Sequence, residues 1–166
     1  MKGGEKVGEM DTKLYDDQEI SQLQALPKRV TNPNARWSEK PKVRPSHRQR
    51  NYKVTGQDSE PRFSIYLRQN LNDPNDFSCG ILYIPRSSPS LTLARYNGSS
   101  HPHGTISYRP HIHRATEKAI LAGRKPESEA EETNRYRTLC GALACLVEDF
   151  NVSGLQTQHD QPRMFQ

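Results

Sequence analysis

The stretch Arg62-Phe-Ser-Ile-Tyr-Leu-Arg-Gln69 decides the fold class, because its side chains alternate between apolar and polar. Neighbouring side chains of a β-strand point to opposite faces of a sheet, so this alternation predicts a half-buried strand. The apolar face would carry Phe63, Ile65 and Leu67. The polar face would carry Ser64, Tyr66 and Arg68. We therefore expect a sheet that rests on a core through one of its faces.

The segments around this stretch predict further strands of the same sheet. Alternating or apolar runs cover residues 51–55, 77–84, 90–96 and 105–113. Turn sequences separate the earlier strands, such as Asn72-Asp-Pro-Asn75 after the central stretch. Short loops between sequential strands favour antiparallel pairing, so we expect a meander of four or five strands.

The last third of the chain changes from a strand period to a helical one. Residues 116–122 predict a short helix that ends at Gly123, and Ser128 with Glu131 resembles the capping box that begins a helix. Residues 138–150 carry large apolar side chains at helical spacing and predict the best helix. Strands followed by helices indicate the α+β class, with the helices packed on one face of the antiparallel sheet.

A basic, proline-rich arm precedes the predicted sheet. Nine lysines and arginines and a single acid, Glu39, lie between Lys28 and Lys53. We expect the prolines at positions 27, 33, 41 and 45 to prevent regular structure in this arm. The predicted organisation is a disordered N-terminus over residues 1–10, a short helix and the basic arm over 11–48, the α+β domain over 49–154 and a polar tail over 155–166.

The bulk composition limits the class of protein. Hydrophobic residues make up 32% of the 166 residues, and the ten glycines bring the apolar share to about 38%, below the average of roughly 45–50%. No apolar run approaches the ~20 residues of a membrane span, and the three cysteines form no disulfide or metal motif. We expect a cytoplasmic protein without a membrane segment. The net charge of +5 is concentrated in the basic arm, which indicates nucleic acid as a partner.

Histidines cluster in one region of the chain. Four of the six lie within thirteen residues, and they are His101, His103, His111 and His113. Strand alternation puts His111 and His113 on one side together with Arg109. Histidine titrates near neutral pH, so the cluster suits a general acid and base, with Arg95, Arg109 or Arg114 on a phosphate. Such a site could cleave RNA without a metal or another cofactor.

Two other interpretations of the histidine cluster stay open. His111, His113 and Glu117 have a spacing used by cupin metal sites, although the flanking glycines are each one residue out of position. The histidines can also be structural, bonding a loop or contacting a ligand without chemistry.

The polar face of the predicted sheet is a second candidate surface. Arginine pairs with phosphate and tyrosine stacks on bases, so a face that carries Tyr66 and Arg68 favours RNA. Neighbouring strands add either Arg50 or Tyr52, and either Arg95 or Tyr96, depending on a register that the sequence does not fix. The candidate nucleic-acid contacts are Arg95, Arg109, Arg114, Tyr66, Arg68, Tyr96, Arg48 and Arg50.

Several segments are distinctive when they are taken together. They are Leu26-Pro-Lys-Arg-Val-Thr-Asn-Pro, His47-Arg-Gln-Arg-Asn-Tyr, Ile65-Tyr-Leu-Arg-Gln-Asn, Asp76-Phe-Ser-Cys-Gly, Leu93-Ala-Arg-Tyr-Asn-Gly, His111-Ile-His-Arg-Ala-Thr-Glu and Gly123-Arg-Lys-Pro-Glu. Over residues 26–152 the chain resembles an uncharacterised family of small prokaryotic hypothetical proteins associated with mobile or accessory genes. The resemblance implies a setting such as defence, a toxin–antitoxin pair or phage conflict, and it supplies no catalytic residues.

Three functional hypotheses follow. The first is a nucleic-acid-directed accessory protein, with RNA favoured over duplex DNA, in the form of a metal-independent endoribonuclease of toxin type with His111 and His113 as acid and base. The second is a non-catalytic binding or inhibitor protein that uses the basic arm and the Arg/Tyr face on nucleic acid or a protein partner. The third is a small metalloenzyme with histidine ligands.

Overall fold

One large sheet organises the molecule. The computed structural model describes residues 14–100 and 108–161. Within these residues the helices are α1 (Asp17–Ala25), α2 (Glu117–Leu121) and α3 (Leu139–Asp149). The strands are β1 (Lys28–Val30), β2 (Ser38–Lys40), β3 (His47–Thr55), β4 (Arg62–Asn70), β5 (Phe77–Ile84), β6 (Leu91–Asn97), β7 (His111–Arg114), β8 (Glu129–Glu132) and β9 (Val152–Ser153).

The strand order is β8-β7-β6-β5-β4-β3-β1-β9, and β2 also pairs with β3. Every pairing is antiparallel except the parallel pairing of β1 with β9. The α+β class with a mostly antiparallel sheet is therefore confirmed. The predicted count of four or five strands is too low, since the described residues form nine.

Strand β4 has the alternation that its sequence predicts. Phe63, Ile65 and Leu67 are buried in the hydrophobic core, and α3 packs on this side against β5 and β6. We call this side the helix face. Tyr66 and Arg68 lie on the opposite side, the open face, where both are partly exposed.

The strand register aligns two rows of open-face residues across four strands. The first row runs through Tyr66, Gly80, Arg95 and His113. The second row runs through Arg68, Ser78, Asn97 and His111. The register therefore selects Arg95, and not Tyr96, as the β6 residue of the open face.

The predicted arm is part of the sheet, so the expectation that its prolines prevent regular structure is wrong. Strand β1 lies between Pro27 and Pro33, β2 ends before Pro41, and β3 begins after Pro45. Proline has no N–H to donate to a neighbouring strand, but it is tolerated at strand ends. The prolines therefore mark the borders of strands in this segment.

Two other predicted elements differ from the structure. The strand expected over 105–113 begins at His111, because Tyr108 has φ of 48° and this left-handed conformation breaks the alternation. Residues 101–107 lie outside the described residues. Ser128 and Glu131 do not begin a helix, because residues 129–132 pair with β7 as strand β8.

The helical predictions agree better with the structure. Helix α3 has Thr138 as its N-cap, and α2 is followed by Gly123 with φ of 72°. Helix α1 is shorter than the predicted 11–26, and the predicted disordered residues 1–10 lie outside the described residues. No helix in residues 14–100 or 108–161 is long and apolar enough to cross a membrane.

The polar tail folds back onto the start of α3. The Asp160 carboxylate accepts the backbone N–H groups of Arg137 and Thr138 at 2.6 and 3.1 Å, and it also accepts the Thr138 hydroxyl. Gly141 permits this approach, because a Cβ there would lie 2.2 Å from the Asp160 carboxylate. The tail thus satisfies amides at the beginning of the helix.

Lys28 is a buried cation rather than a member of an exposed arm. Its ammonium donates to the carbonyl oxygens of Gln24, Leu26 and Phe150 at 2.9, 2.8 and 2.8 Å. Burial lowers the pKa of Lys28 to about 8. Carbonyls at the C-terminal ends of helices lack intrahelical partners, so one ammonium joins the ends of α1 and α3.

Candidate functional site

A cavity of about 270 Å³ lies on the open face where strands β4 to β7 end. It is lined by Arg68, Asp76, Phe77, Ser78, Arg95, Asn97, Gly98, Ser100, His111 and His113. We call it the histidine cavity. Every β4–β7 member of the second cross-strand row lines it, because alternate residues of neighbouring strands face the same side.

The two histidines of β7 lie side by side. Their ring centroids are 5.1 Å apart. His111 Nδ1 is 3.1 Å from the Arg109 carbonyl oxygen, and His113 Nδ1 is 2.9 Å from the Glu127 carbonyl oxygen. A carbonyl only accepts hydrogen bonds, so both Nδ1 atoms donate and the proton-accepting nitrogen of each neutral ring is Nε2. The main chain therefore fixes the tautomer and the orientation of both rings.

Both histidines are well covered by protein. His111 is 4% exposed and His113 is 2% exposed. His111 Nε2 lies 3.5 Å from the amide nitrogen of Asn97. On the other side of the sheet, the Tyr136 hydroxyl lies 2.8 Å from the Asn97 carbonyl oxygen and 3.1 Å from that of His111, which ties β6 to β7. Hydrogen bonds and packing thus hold the pair in place, and both histidines line the cavity.

Arg95 is the cation closest in register to the histidine pair, since it is the cross-strand partner of His113. Its Nε atom is buried and has no hydrogen-bond partner among the described residues. Burial of a guanidinium N–H without an acceptor is costly, so this atom is suited to an anionic ligand.

Tyr66 lies in the same cross-strand row as Arg95 but does not line the histidine cavity. Its ring lies flat over Gly80, where a Cβ would come within 2.4 Å of Tyr66 Cε1. Burial raises the pKa of the Tyr66 phenol, and its oxygen lies 3.4 Å from Ser78 Oγ. Ser78 Oγ in turn donates to Asn97 Oδ1 at 2.8 Å. Glycine at position 80 is therefore needed for the ring to cover the sheet here.

Other predicted contacts lie elsewhere. Tyr96 belongs to the helix face, is fully buried, and donates its hydroxyl to Asp149 at 2.5 Å. Arg109 does not line the histidine cavity, because the irregular backbone at 108–110 replaces the expected strand, and its guanidinium pairs with Glu132 at 2.8 Å. Arg114 pairs with Glu131 at 3.5 Å. Both arginines therefore form ion pairs with glutamates of β8, the edge strand.

Arg48 and Arg50 lie on the helix face, in a larger groove of about 770 Å³. We call it the arginine groove. It lies between β3, β4, Trp37 and the start of α3. The Arg48 guanidinium carbon is 3.9 Å from the centre of the Trp37 ring, and that of Arg50 is 5.1 Å from the centre of Tyr52. These distances are typical of cation–π contacts.

The metal alternative gains no support from the described residues. No group of three or more His, Cys, Asp or Glu side chains in residues 14–100 and 108–161 is placed to hold a metal ion. Glu117 instead begins α2, where its backbone N–H donates to Asp17. The predicted site residues His101 and His103 lie outside the described residues.

Sequence reasoning missed Ser78 and Asn97 as parts of these sites, and it left Trp37 open as either an anchor of the basic arm or a residue that stacks on a base. Ser78 and Asn97 become visible only when the register of β5 and β6 is known, because each lies in the row of His111. The signal for Trp37 was its position between basic residues, which is compatible with stacking on arginine as well as with anchoring.

Comparison of the chain with protein-family models, with curated proteins and with solved structures finds no match.

Proposed function

We propose that the protein acts on RNA and that the histidine cavity is a metal-independent site of phosphodiester cleavage. The observation that supports this most is the pairing of two oriented imidazoles with a buried arginine N–H that lacks a partner among the described residues. His111 and His113 are the acid and base, and Arg95 and Arg68 bind the scissile phosphate. As part of this proposal, the protein belongs to a cytoplasmic accessory or defence system, which the resemblance of residues 26–152 suggests.

The chemistry needs groups of the types that line the cavity. The 2′-oxygen of a ribose attacks the adjacent phosphorus while one imidazole Nε2 takes the 2′-hydroxyl proton. The bond from phosphorus to the 5′-oxygen breaks, and the second, protonated imidazole gives a proton to that oxygen. Arg95 and Arg68 stabilise the charge on the five-coordinate phosphorane. The products are a 2′,3′-cyclic phosphate and a 5′-hydroxyl, so DNA is not a substrate.

The test is cleavage of total cellular RNA in EDTA by the wild-type protein and by His111→Gln and His113→Gln. We expect each substitution to lower the cleavage rate about a hundredfold or more, since general acid–base groups contribute 10²–10⁴-fold. The products should carry cyclic phosphate ends.

His47→Gln is the matched control. His47 is also buried, lies on the same face by strand alternation, and has its Nδ1 2.9 Å from a backbone carbonyl, but it does not line the cavity. Its cleavage rate should equal that of the wild type. Equal rates for all four proteins, or intact RNA with the wild type, would reject the proposal.

A second candidate is a binding protein without catalysis. The burial of both histidines and the greater size of the arginine groove favour it. If the wild type binds RNA but never cleaves it, the protein is a binding protein, and His111 and His113 are structural residues.

A further inference from the structure

Positive charge predominates among the residues that line the arginine groove, although the Asp160 carboxylate lies beside Arg137. Arg48, Arg50 and Arg137 line it, and its lining among the described residues includes no aspartate or glutamate. Arg48 is held by Gln69, whose side-chain oxygen accepts from Nε and a terminal nitrogen at 3.1 and 2.7 Å. Arg50 Nε is buried and has no hydrogen-bond partner among the described residues. The groove is therefore electrostatically complementary to an anion.

The remainder of the groove is apolar and aromatic. Leu67, Leu139 and Leu143 form part of the wall. At its side the Arg48 guanidinium carbon lies 3.9 Å from the centre of the Trp37 ring, and we call this contact the Trp37–Arg48 stack. A ligand that satisfies both parts has a flat apolar ring and a negative charge, which is the chemistry of a nucleotide.

The arginine groove and the histidine cavity lie on either side of the same β-turn. The groove is lined by Gln69 and Asn75, and the cavity is lined by Arg68 and Asp76. Gln69 directly follows Arg68, and Asn75 directly precedes Asp76, at the two ends of the β4–β5 turn. The two sites are therefore separated only by the thickness of the sheet at its end. A flexible single strand can pass over such a tip, whereas the stacked bases of a duplex are hidden from a groove of this kind.

We infer that the arginine groove binds one nucleotide of single-stranded RNA, with its base on the Trp37–Arg48 stack and its phosphate on Arg50 and Arg137. The same strand then continues around the β4–β5 turn to the histidine cavity. This continuation rests on the proposed function of that cavity, but binding in the groove does not.

The experiment uses the fluorescence of Trp37, which is the only tryptophan of the chain. The probe is a single-stranded oligonucleotide with 2′-deoxyriboses, which cannot be cleaved by attack of a 2′-oxygen. We expect saturable quenching of Trp37 as a base stacks in the groove. Arg50→Gln should weaken binding about tenfold, because a charge-assisted hydrogen bond is lost.

Arg29→Gln is the matched control, because Arg29 is an exposed arginine of β1 that does not line the groove. It should bind within about twofold of the wild type, a change typical of an exposed charge. Quenching by the uncleavable probe separates the two proposals, since it does not depend on whether the histidine cavity cleaves RNA.

Three results would overturn the inference. Binding without a change in Trp37 fluorescence, and with equal affinity for Arg50→Gln, would remove the groove from the binding surface. Tighter binding of the duplex than of the single strand would reject single-stranded nucleic acid as the ligand. Equal affinity for adenosine monophosphate and for the oligonucleotide would reject the continuing strand and make the groove a site for a free nucleotide.

Discussion

The histidine cavity and the arginine groove lie back to back at one end of the same strands, but they are assembled from different kinds of contact. Two cross-strand rows of four neighbouring strands build the cavity, and hydrogen bonds to main-chain carbonyls orient its histidines. The groove brings together Trp37, strand β3 and the start of α3, which are far apart in the sequence. The cavity is thus suited to the exact placement of reacting groups, and the groove is suited to binding the strand.

Removal of the Arg95 guanidinium should separate activity from stability most clearly. We expect Arg95→Gln to lower the RNA cleavage rate about a hundredfold, the typical loss when one group that stabilises transition-state charge is removed. The free energy of unfolding should stay within about 1 kcal/mol of the wild-type value, because no hydrogen bond to Nε is lost among the described residues. Single-turnover cleavage and urea unfolding of the same samples measure both quantities. A large loss of stability with full activity would assign Arg95 a structural role.

A methyl group beneath Tyr66 should disturb the histidine cavity through Ser78, which lies 3.4 Å from the Tyr66 oxygen and lines the cavity, and should leave the arginine groove intact. Gly80→Ala places a Cβ 2.4 Å from Tyr66 Cε1, so the ring must move. We expect a loss of about 2 kcal/mol in the free energy of unfolding, as for other overpacked sites, with a lower cleavage rate and unchanged Trp37 quenching. In a Tyr66→Ala background the same substitution should cost much less. An equal cost in both backgrounds would show that Tyr66 is not the obstacle.

Low pH should weaken the carboxylate network on the helix face. Burial alone would raise the pKa of Asp149, but hydrogen bonds from Arg135 and Tyr96 outweigh it and hold that pKa below its usual value. The unfolded chain therefore binds the proton more tightly, so this stabilisation is present above about pH 4 and is lost as the pH falls through the folded-state pKa.

The measurement is urea unfolding of the wild type and of Asp149→Asn at pH 7 and at pH 3. At pH 7 the variant should be less stable by about 1.5 kcal/mol, the size of a hydrogen bond to a charged group. The difference between the two proteins should shrink at pH 3. A difference that is the same at both values would contradict the role of the ionised carboxylate.

Alkylation of the Cys140 thiol should weaken RNA binding in the arginine groove, and this effect should be smaller than those predicted above. Cys140 is exposed and lines the groove, whereas burial raises the pKa of both Cys79 and Cys145 and slows their reaction. We expect a bulky alkyl group on Cys140 to raise KM for RNA about threefold, a modest loss of binding free energy, with kcat unchanged. Treated Cys140→Ser should keep the untreated KM. A fall in kcat instead would place the reacting phosphate in the groove.

The sequence predicts best the features that depend on neighbouring residues. The alternation of Phe63, Ile65 and Leu67 assigned the helix face, and it also put His111 and His113 on one side of β7. Arg95 and Tyr96 could not be separated in the same way, because each is adjacent to the other and the register across β5 decides between them. The prediction that prolines prevent regular structure in the basic arm also failed, because pairing of β1 and β2 with β3 outweighs the low strand propensity of this segment.

The ammonium of Lys28 has a consequence for the way the molecule unfolds. It bonds to residues that follow α1 and α3, and the parallel pairing of Lys28 with Val152 joins the same two segments a second time. Neither segment can open without breaking the contacts of the other, so their amide protons should exchange with solvent in a single cooperative event. Two stretches separated by most of the chain thus form one thermodynamic unit.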